Sequence, residues 1–354
     1  MEHSAGIHNS TPSTLLILSN GTPNQTTTQL LRGLATRIER VMRCEVRLRN
    51  LPPGKFAKFV SALRSEWGNL KALRHHKMVM THSAALFSLP TLIAAKLSGK
   101  TTVIIVWDIY PESFGWSGLR APLAWLAMLF ENLALTLADL VIINSEDYLP
   151  FVRQKGAETI QVTPMWTQGA LPLNLIQLRA STTLKIAWAG QINSLRDLTG
   201  TMRNLLAHYI DPVELHLFSP DGPPPNLYLL ERGNDQFYIE KRGFLPLADL
   251  SIALSKLDFG LVSIDPAFPL PVFPSKIMTY LLAGIPVLFE GPRTPTFDRL
   301  FSDRGIGLHI EMLETTDIEE FRRKFPQRRR AYLDWVEQET IALADQLARL
   351  ANRC

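Results

Sequence analysis

A serine and a lysine stand at the predicted start of a helix in the second half of the chain. The segment Phe273-Pro274-Ser275-Lys276 precedes a helical stretch that ends before Gly284-Ile285-Pro286-Val287. A helix start presents free amide groups and a positive dipole end, and Lys276 adds a full positive charge beside them. The pattern predicts a diphosphate site, with a plain helix-to-strand unit as the alternative. Gly284 is predicted to end the helix in the left-handed conformation.

A glycine follows another predicted strand, at residues 184–189, and has a polar stretch after it. Gly190 permits close approach of the backbone to a ligand, and Gln191 stands beside it. Arg196 is predicted to reach a phosphate, and an exposed arginine on a helix face is the alternative. These residues form the second part of the predicted anion site.

Acid and base candidates follow strands in the first half of the chain. Asp108 comes directly after the apolar run 102–107, and Glu112 follows one turn later. His82 follows the strand predicted at 78–81. Because ligands bind outside the carboxyl ends of parallel strands, we expect Asp108 to act as the base, with Glu112 in reserve and His82 as a further acid or base. A helix-capping aspartate and a structural histidine are the alternatives.

A turn-rich loop follows the first predicted strand and is expected to face a bound ligand. It contains Asn20, Gly21 and Thr22. Capping of the first helix is the alternative role for these residues. No metal site is predicted.

These residues are placed by two series of strands that alternate with helices, which predicts two Rossmann-like domains with parallel sheets. Strands are predicted at residues 15–18, 44–48, 78–81, 101–107, 140–143, 184–189, 214–218, 237–241, 258–262 and 286–289. The predicted domains are residues 14–168 and 183–326, joined by a linker at 168–183. A C-terminal helix at 327–354 is predicted to brace the two.

Composition indicates a folded α/β protein. The 354 residues are 46% hydrophobic and 20% charged, and 37 lysines and arginines against 33 acidic residues give a net charge of +4. The basic residues are spread along the chain, which argues against a nucleic-acid partner. The exception, Arg328-Arg329-Arg330, is predicted to be a solvated helix face, with a lipid or nucleic-acid contact as the alternative.

The two cysteines, Cys44 and Cys354, build no disulfide framework, and the polar start lacks the pattern of a secretory signal, so we expect a cytoplasmic protein. The apolar stretch 119–138 is interrupted by Arg120, Glu131 and Asn132, and is therefore too broken to span a membrane. Core packing of this stretch is one interpretation. An amphipathic helix with one face on lipid at the inner side of the membrane is the other.

Several segments resemble the donor domain of GT-B glycosyltransferases, most closely family 4 and related bacterial polysaccharide transferases. They are Trp188-Ala189-Gly190, Lys241-Arg242-Gly243-Phe244-Leu245-Pro246, residues 258–262 and the run from Pro274-Ser275-Lys276-Ile277-Met278-Thr279-Tyr280 to Val287. Weaker likenesses lie in the first half, at residues 107–112 and 138–145. The resemblance covers roughly residues 14–325 and implies a GT-B fold whose parallel sheets face each other across a cleft.

The resemblance also implies roles for individual residues. Ser275 and Lys276 would hold the diphosphate, with Gly190 under it. Tyr280 would touch the nucleoside, and Arg242, Gly243 and Phe244 would receive the base, with Phe244 either stacked on it or packed in the core. The loop that contains Asn20, Gly21 and Thr22 would contact the transferred sugar or the acceptor. UDP is favoured over GDP, and neither a cofactor nor a metal ion is expected.

One departure separates the chain from retaining members of family 4. Their two glutamates, eight positions apart, correspond here to Pro271 and Thr279. Altered donor binding, in which Lys276 carries more of the affinity, and loss of catalysis are both compatible with this absence.

The predicted function is sugar transfer from a nucleotide diphosphate sugar to a glycan or polyprenyl-linked acceptor in surface polysaccharide synthesis, as a hexosyltransferase of class EC 2.4. Two alternatives stay open. A non-catalytic nucleotide-sugar-binding or partner subunit would explain the missing glutamates, and a nucleotide-sugar epimerase shares the architecture.

Overall fold

The computed structural model describes residues 14–19, 26–48, 55–114, 121–167, 183–192 and 197–352. The chain divides into two compact units, Met1–Gln168 with Gln338–Cys354, and Gly169–Glu337. Each unit is a parallel sheet with helices between its strands, which confirms the predicted α/β class and the two Rossmann-like sheets. The predicted linker falls almost entirely outside the described residues.

The first unit contains a six-stranded parallel sheet in the order β2-β1-β3-β4-β5-β6. The chain reverses its direction across this sheet between β1 and β3, as in the flavodoxin-like arrangement. Its elements are β1 Thr14–Ser19, α1 Thr26–Ile38, β2 Arg43–Leu48, α2 Lys55–Leu73, β3 Met78–His82, α3 Leu89–Leu97, β4 Thr101–Val106, α4 Ala121–Leu137, β5 Leu140–Ile143, α5 Leu149–Gln154 and β6 Ile160–Val162.

The second unit contains another six-stranded parallel sheet, in the order β12-β11-β10-β7-β8-β9. Counted from β7, this is the dinucleotide-fold order, and its switch point lies between β7 and β10. Its elements are β7 Leu184–Ala189, α6 Leu198–His208, β8 Val213–Phe218, α7 Pro225–Arg232, β9 Phe237–Lys241, α8 Leu247–Leu254, β10 Phe259–Ser263, α9 Lys276–Ala283, β11 Val287–Glu290, α10 Pro295–Asp298 and β12 Gly307–His309.

The central strands are buried on both faces, as their apolar sequences predict. Every residue of β3, β4 and β10 is buried. A strand between two helical layers shows no alternation of polar and apolar residues, because both of its faces meet apolar helices. All ten predicted strands are present.

Two edge strands, β6 and β12, were missed by the sequence analysis. Each has three residues, too few for a periodic pattern, and each is paired on one side only, to β5 and to β11. In β12 the first residue is Gly307, where a Cβ atom would lie 2.4 Å from the carbonyl oxygen of Val287. Close approach of the two backbones therefore requires glycine there.

The last helix, α11, spans Ile318–Ala351 and begins earlier than the predicted residue 327. Asp317 accepts a hydrogen bond from the backbone N–H of Glu320 at 3.0 Å, which caps the helix start. Phe321 and Phe325 are buried along its first turns. Burial of these two rings extends the helix through Pro326, where the sequence analysis ended the preceding domain.

The prediction of a solvated face at Arg328-Arg329-Arg330 is wrong for the middle residue. Arg330 is exposed, whereas Arg329 is buried and donates hydrogen bonds to the carbonyl oxygens of Leu281 and Leu282, the latter at 3.2 Å. Burial lowers the pKa of the Arg329 guanidinium. The charge faces the C-terminal end of α9, where a cation compensates the negative end of the helix dipole.

Candidate functional site

The second sheet places the start of α9 at its switch point. Helix α9 follows β10, and β10 pairs with β7 through Phe259 and Gly260 only. Beyond Gly260 the two strands part toward their carboxyl ends. In open α/β sheets ligands bind in the crevice formed there, and the first residue of α9, Lys276, lies at this edge.

Lys276 lies beside the end of β7. Its Nζ atom is 3.9 Å from the centroid of the Trp188 ring, which is fully buried. A cation over an indole face is attracted by the negative face of the ring. Trp188 was not predicted as a site residue, although the sequence places it two residues before Gly190. The cation is thereby held near the turn that follows β7.

The glycine after β7 has a backbone conformation that favours glycine. Gly190 has a φ of +109°, and a Cβ atom there would lie 3.1 Å from Cε of Lys276. Ser275 is the residue before the helix and its side chain makes no capping hydrogen bond, while Gln191 is exposed. Gly190 and Lys276 are therefore brought together, as the sequence analysis expected.

Helix α9 ends as predicted. Gly284 follows it in the left-handed conformation, with a φ of 88°. Its N–H donates to Leu281, while Arg329 binds the carbonyl groups of Leu281 and Leu282. The carbonyl end of α9 is thus capped by a glycine turn and a guanidinium.

The predicted contact of Tyr280 with the nucleoside is wrong, because the side chain is fully buried within the second unit. Its hydroxyl group lies 3.2 Å from the carbonyl oxygen of Ala187 and 3.0 Å from that of Leu261, and it accepts a hydrogen bond from the N–H of Ala189 at 3.0 Å. Tyr280 therefore bridges β7 and β10 where they part. The ring fits because residue 260 is glycine: a Cβ atom there would lie 2.1 Å from the ring.

The stretch predicted to receive the base follows β9 and is exposed. Phe244 is 73% exposed, so the core-packing alternative for it is wrong. Gly243 has a φ of 68°, and a Cβ atom built there would have no described atom within 4 Å. Arg242 donates from Nε to Nδ1 of His216 at 3.3 Å, and its guanidinium lies 3.6 Å from Glu240. Strand spacing puts this stretch roughly 10 Å from the end of β7, at the same edge of the sheet.

The first unit places Asp108 after β4, where it is half-buried. The backbone N–H groups of Trp107 and Asp108 both donate to Oγ of Ser83, at 2.9 and 3.3 Å. Ser83, which follows β3, was missed because a lone serine carries no sequence signal. Its hydroxyl group fixes the turn that presents Asp108.

His82 is buried, which corrects its predicted role as an acid or base at the cleft. Its Nδ1 atom lies 2.6 Å from the carbonyl oxygen of Ser83, and its ring lies 5.1 Å from that of Trp107. These contacts favour the structural alternative. Packing of His82 on Trp107 supports the same turn.

Glu112 forms an ion pair that the sequence analysis did not predict. Its Oε1 atom lies 2.6 Å from Nζ of Lys155, whose side chain is buried. The carboxylate of Glu112 is therefore engaged by a buried lysine.

A buried carboxylate, Glu131 of α4, lies under this region. It accepts hydrogen bonds from the N–H groups of Ala85 at 3.0 Å and Leu86 at 2.8 Å. Burial raises its pKa to about 7, although these two hydrogen bonds and Lys155 act in the opposite direction. In the sequence Glu131 interrupts an apolar stretch. The groups that bind Glu131 are backbone amides, which no sequence pattern reveals.

Four predicted site residues lie outside the described residues: Asn20, Gly21, Thr22 and Arg196. Among the described residues, no group of three or more histidine, cysteine, aspartate or glutamate side chains is placed to hold a metal ion. No helix in the described part of the chain is long and apolar enough to cross a membrane.

Two Rossmann-like units of this kind define the GT-B fold, the fold of a large class of glycosyltransferases. The chain is similar in structure to sucrose-phosphate synthase from Thermosynechococcus elongatus, at 13% identity and a TM-score of 0.67, covering 97% of this chain and 100% of that one. It is similar to the lipopolysaccharide outer core galactosyltransferase WaaB, at 12% identity, TM-score 0.59, and coverage of 94% and 98%. It is also similar to MurG from Acinetobacter baumannii, at 13% identity, TM-score 0.54, and coverage of 95% and 100%.

No protein-family model matches the chain, and no curated protein sequence matches it. The structural likeness, at these identities, shows the fold.

Proposed function

We propose that the chain is a glycosyltransferase that moves a sugar from a nucleoside diphosphate sugar to a glycan or lipid-linked acceptor. The observation that carries this proposal is the position of Lys276. Its ammonium group lies on Trp188 beside the positive-φ turn at Gly190, at the start of α9 and at the switch point of the second sheet.

The physical basis is the charge that develops on the leaving group. When the bond between the anomeric carbon and the diphosphate oxygen breaks, the bonding electrons leave with the nucleoside diphosphate. A helix N-terminus and a lysine ammonium, held in place before the reaction, stabilise this charge. Gly190 leaves room for the phosphates to approach the backbone, since a Cβ atom there would crowd Lys276.

Recognition of the nucleoside is proposed for the exposed stretch Arg242, Gly243 and Phe244. A phenyl ring that is 73% exposed is available to stack on a base. UDP is the favoured nucleotide and GDP the second choice. Gln191 and Arg196 are proposed to line the same site.

Asp108 is proposed as the base of an inverting transfer. It takes the proton of the acceptor hydroxyl group while the hydroxyl oxygen bonds to the anomeric carbon and the diphosphate leaves. Pro271 and Thr279 stand where retaining members of family 4 have glutamates. We therefore propose a divergent hexosyltransferase in which Lys276 carries a larger share of donor binding.

The place of action is proposed to be the cytoplasm. Surface polysaccharide synthesis is the proposed process, with a glycan or polyprenyl-linked sugar as the acceptor. The sequence-based interpretation of a helix with one face on lipid supports an acceptor at the inner face of the membrane.

Thermal-shift titration with UDP, GDP and their sugars tests the donor site. Lys276→Ala should weaken binding by about 10- to 150-fold, the equivalent of a charged hydrogen-bond contribution of roughly 1.5–3 kcal/mol. Asp108→Ala should leave nucleotide binding unchanged and remove sugar transfer. Lys256→Ala, at an exposed lysine of the same unit, is the matched control and should change neither.

Unchanged nucleotide binding by Lys276→Ala would refute the donor site. Full transfer activity in Asp108→Ala would refute the assignment of the base. Binding of nucleotide sugars without hydrolysis, transfer or epimerisation by the unmodified chain would favour the non-catalytic alternative.

A further inference from the structure

Helix α4 carries an apolar face that the described part of the chain leaves exposed. The face comprises Trp125, Leu126, Leu129, Phe130 and Leu133, and Trp125 is 59% exposed. At 100° per residue these five positions occupy one side of the helix. The opposite side, with Ala127, Glu131 and Ala134, is buried. The core-packing interpretation of this stretch is therefore incomplete, because only half of the helix packs in the core.

The neighbouring helices also carry exposed apolar side chains. Helices α2 and α3 pack together, as do α3 and α4. Right-handed crossovers that proceed in one direction across a sheet place their helices on the same face, so the three helices form one layer. Trp67, Phe87, Ile93 and Leu97 are exposed along α2, α3 and the turn before α3, and Leu97 is 85% exposed.

The charges of this layer all have one sign at the surface. Over residues 64–100 and 124–137 the only carboxylates are Glu66 and Glu131, and both are buried. The exposed or half-buried charged side chains there are Arg64, Lys71, Arg74, Lys77, Lys96 and Lys100. Lys96 is paired with Asp139, which follows α4. The layer thus combines exposed tryptophan and aliphatic side chains with an excess of positive charge.

We propose that the α2–α3–α4 layer docks on the surface of an anionic lipid bilayer. Aliphatic and aromatic side chains of α4 insert at the boundary between headgroups and acyl chains, where tryptophan is favoured, and the lysines and arginines contact anionic headgroups. A second copy of the chain is a poorer occupant, because two such layers would place like charges opposite each other. The inference extends the proposed function by naming a surface that brings the chain to a lipid-linked acceptor, but it does not depend on sugar transfer.

Co-sedimentation with vesicles tests the proposal. The full chain is mixed with phosphatidylcholine vesicles that contain phosphatidylglycerol, and with vesicles of phosphatidylcholine alone. We expect the chain to bind the anionic vesicles at least tenfold more strongly, and we expect rising salt to weaken this binding. The triple variant Trp125→Gln, Leu129→Gln and Leu133→Gln should bind them at least tenfold less than the unmodified chain. Because all three side chains are exposed, these changes should not affect folding.

A matched control replaces three exposed apolar residues of the second unit: Ile210→Gln, Leu229→Gln and Ile252→Gln. This variant should bind vesicles as the unmodified chain does. Equal binding by the α4 variant, or no preference for anionic vesicles, would overturn the proposal. A dimer that dissociates in the α4 variant, detected by light scattering, would also overturn it by making a second copy the occupant.

The vesicle test is separable from the proposed function. Loss of sugar transfer with intact vesicle binding would not contradict the proposed lipid surface. Loss of vesicle binding with intact sugar transfer would not contradict the proposed transferase activity. The α4 variant should keep its UDP-induced thermal shift, since α4 and the start of α9 belong to different units.

Discussion

The hydroxyl group of Tyr280 is expected to make a large contribution to the stability of the second unit. It lies where β7 and β10 part, accepts a hydrogen bond from the N–H of Ala189, and has its single proton within reach of the carbonyl oxygens of Leu261 and Ala187. Tyr280→Phe removes this oxygen and keeps the ring. The N–H of Ala189 then loses the hydroxyl acceptor in a region that water does not reach.

The expected loss follows from two contributions. A buried donor without a partner costs about 1–3 kcal/mol, and the loss of the hydrogen bond donated by the hydroxyl group costs about 0.5–1.5 kcal/mol. The free energy of unfolding should therefore fall by roughly 1.5–4.5 kcal/mol. For an m value of about 2 kcal/mol per molar urea, the unfolding midpoint should fall by about 1–2 M, measured by circular dichroism.

Tyr238→Phe is the matched control for this substitution. The hydroxyl group of Tyr238 donates to the carbonyl oxygen of Asp235 at 2.7 Å, but the side chain is exposed. Water replaces this bond, so stability should change by less than about 0.5 kcal/mol. An unchanged midpoint for Tyr280→Phe, accompanied by loss of UDP binding, would refute the structural role and restore the nucleoside contact.

Two further substitutions each test one buried side-chain environment, the first in the second unit and the other in the first unit. Gly260→Ala should prevent folding of the second unit or destabilise it by more than about 3 kcal/mol, because the new Cβ atom would lie 2.1 Å from the Tyr280 ring. Soluble yield and urea unfolding followed by circular dichroism measure this effect. An unfolding midpoint equal to that of the unmodified chain would contradict it. Burial raises the pKa of the Glu131 carboxyl group from 4.5 to about 7. Between these two pH values the folded chain keeps a proton on Glu131 that the unfolded chain has released. The free energy of unfolding should therefore fall as the pH rises from 4.5 to about 7. Glu131→Gln should remove this fall, and urea midpoints with the same pH dependence in both proteins would contradict the assignment.

Local pattern predicted much of the fold. The apolar run of β4 and the lysine, glycine and turn sequence around α9 specify a strand and a helix without help from distant residues. The edge strand β6 depends instead on pairing with β5. The start of α11 depends on burial of Phe321 in the core of the second unit. Three-residue strands and tertiary burial leave no periodic signal, so the sequence predicts neither β6 nor the early start of α11.

The left-handed conformation of Gly284 was predicted, because the end of a helix followed by a strand favours glycine there, whereas the positive φ of Gly190 was not. Site residues were missed where the role comes from a contact between distant segments. Trp188 acquires its role from Lys276, and Ser83 acquires its role from the N–H groups after β4. The prediction for Tyr280 was wrong because the resemblance to GT-B glycosyltransferases implied a nucleoside contact, whereas the space left by Gly260 lets the ring pack against the sheet.

The link between Arg329 and the carbonyl end of α9 bears on how the gene could be divided for expression. Any fragment of the second unit that stops before this arginine would leave α9 without its guanidinium cap, and a fragment that stops before residue 321 would also lack the buried ring of Phe321. The smallest autonomous fragment of the second unit must therefore include the first half of α11. A chimera that exchanges this unit between related proteins needs its junction beyond residue 329, inside a continuous helix rather than in a loop.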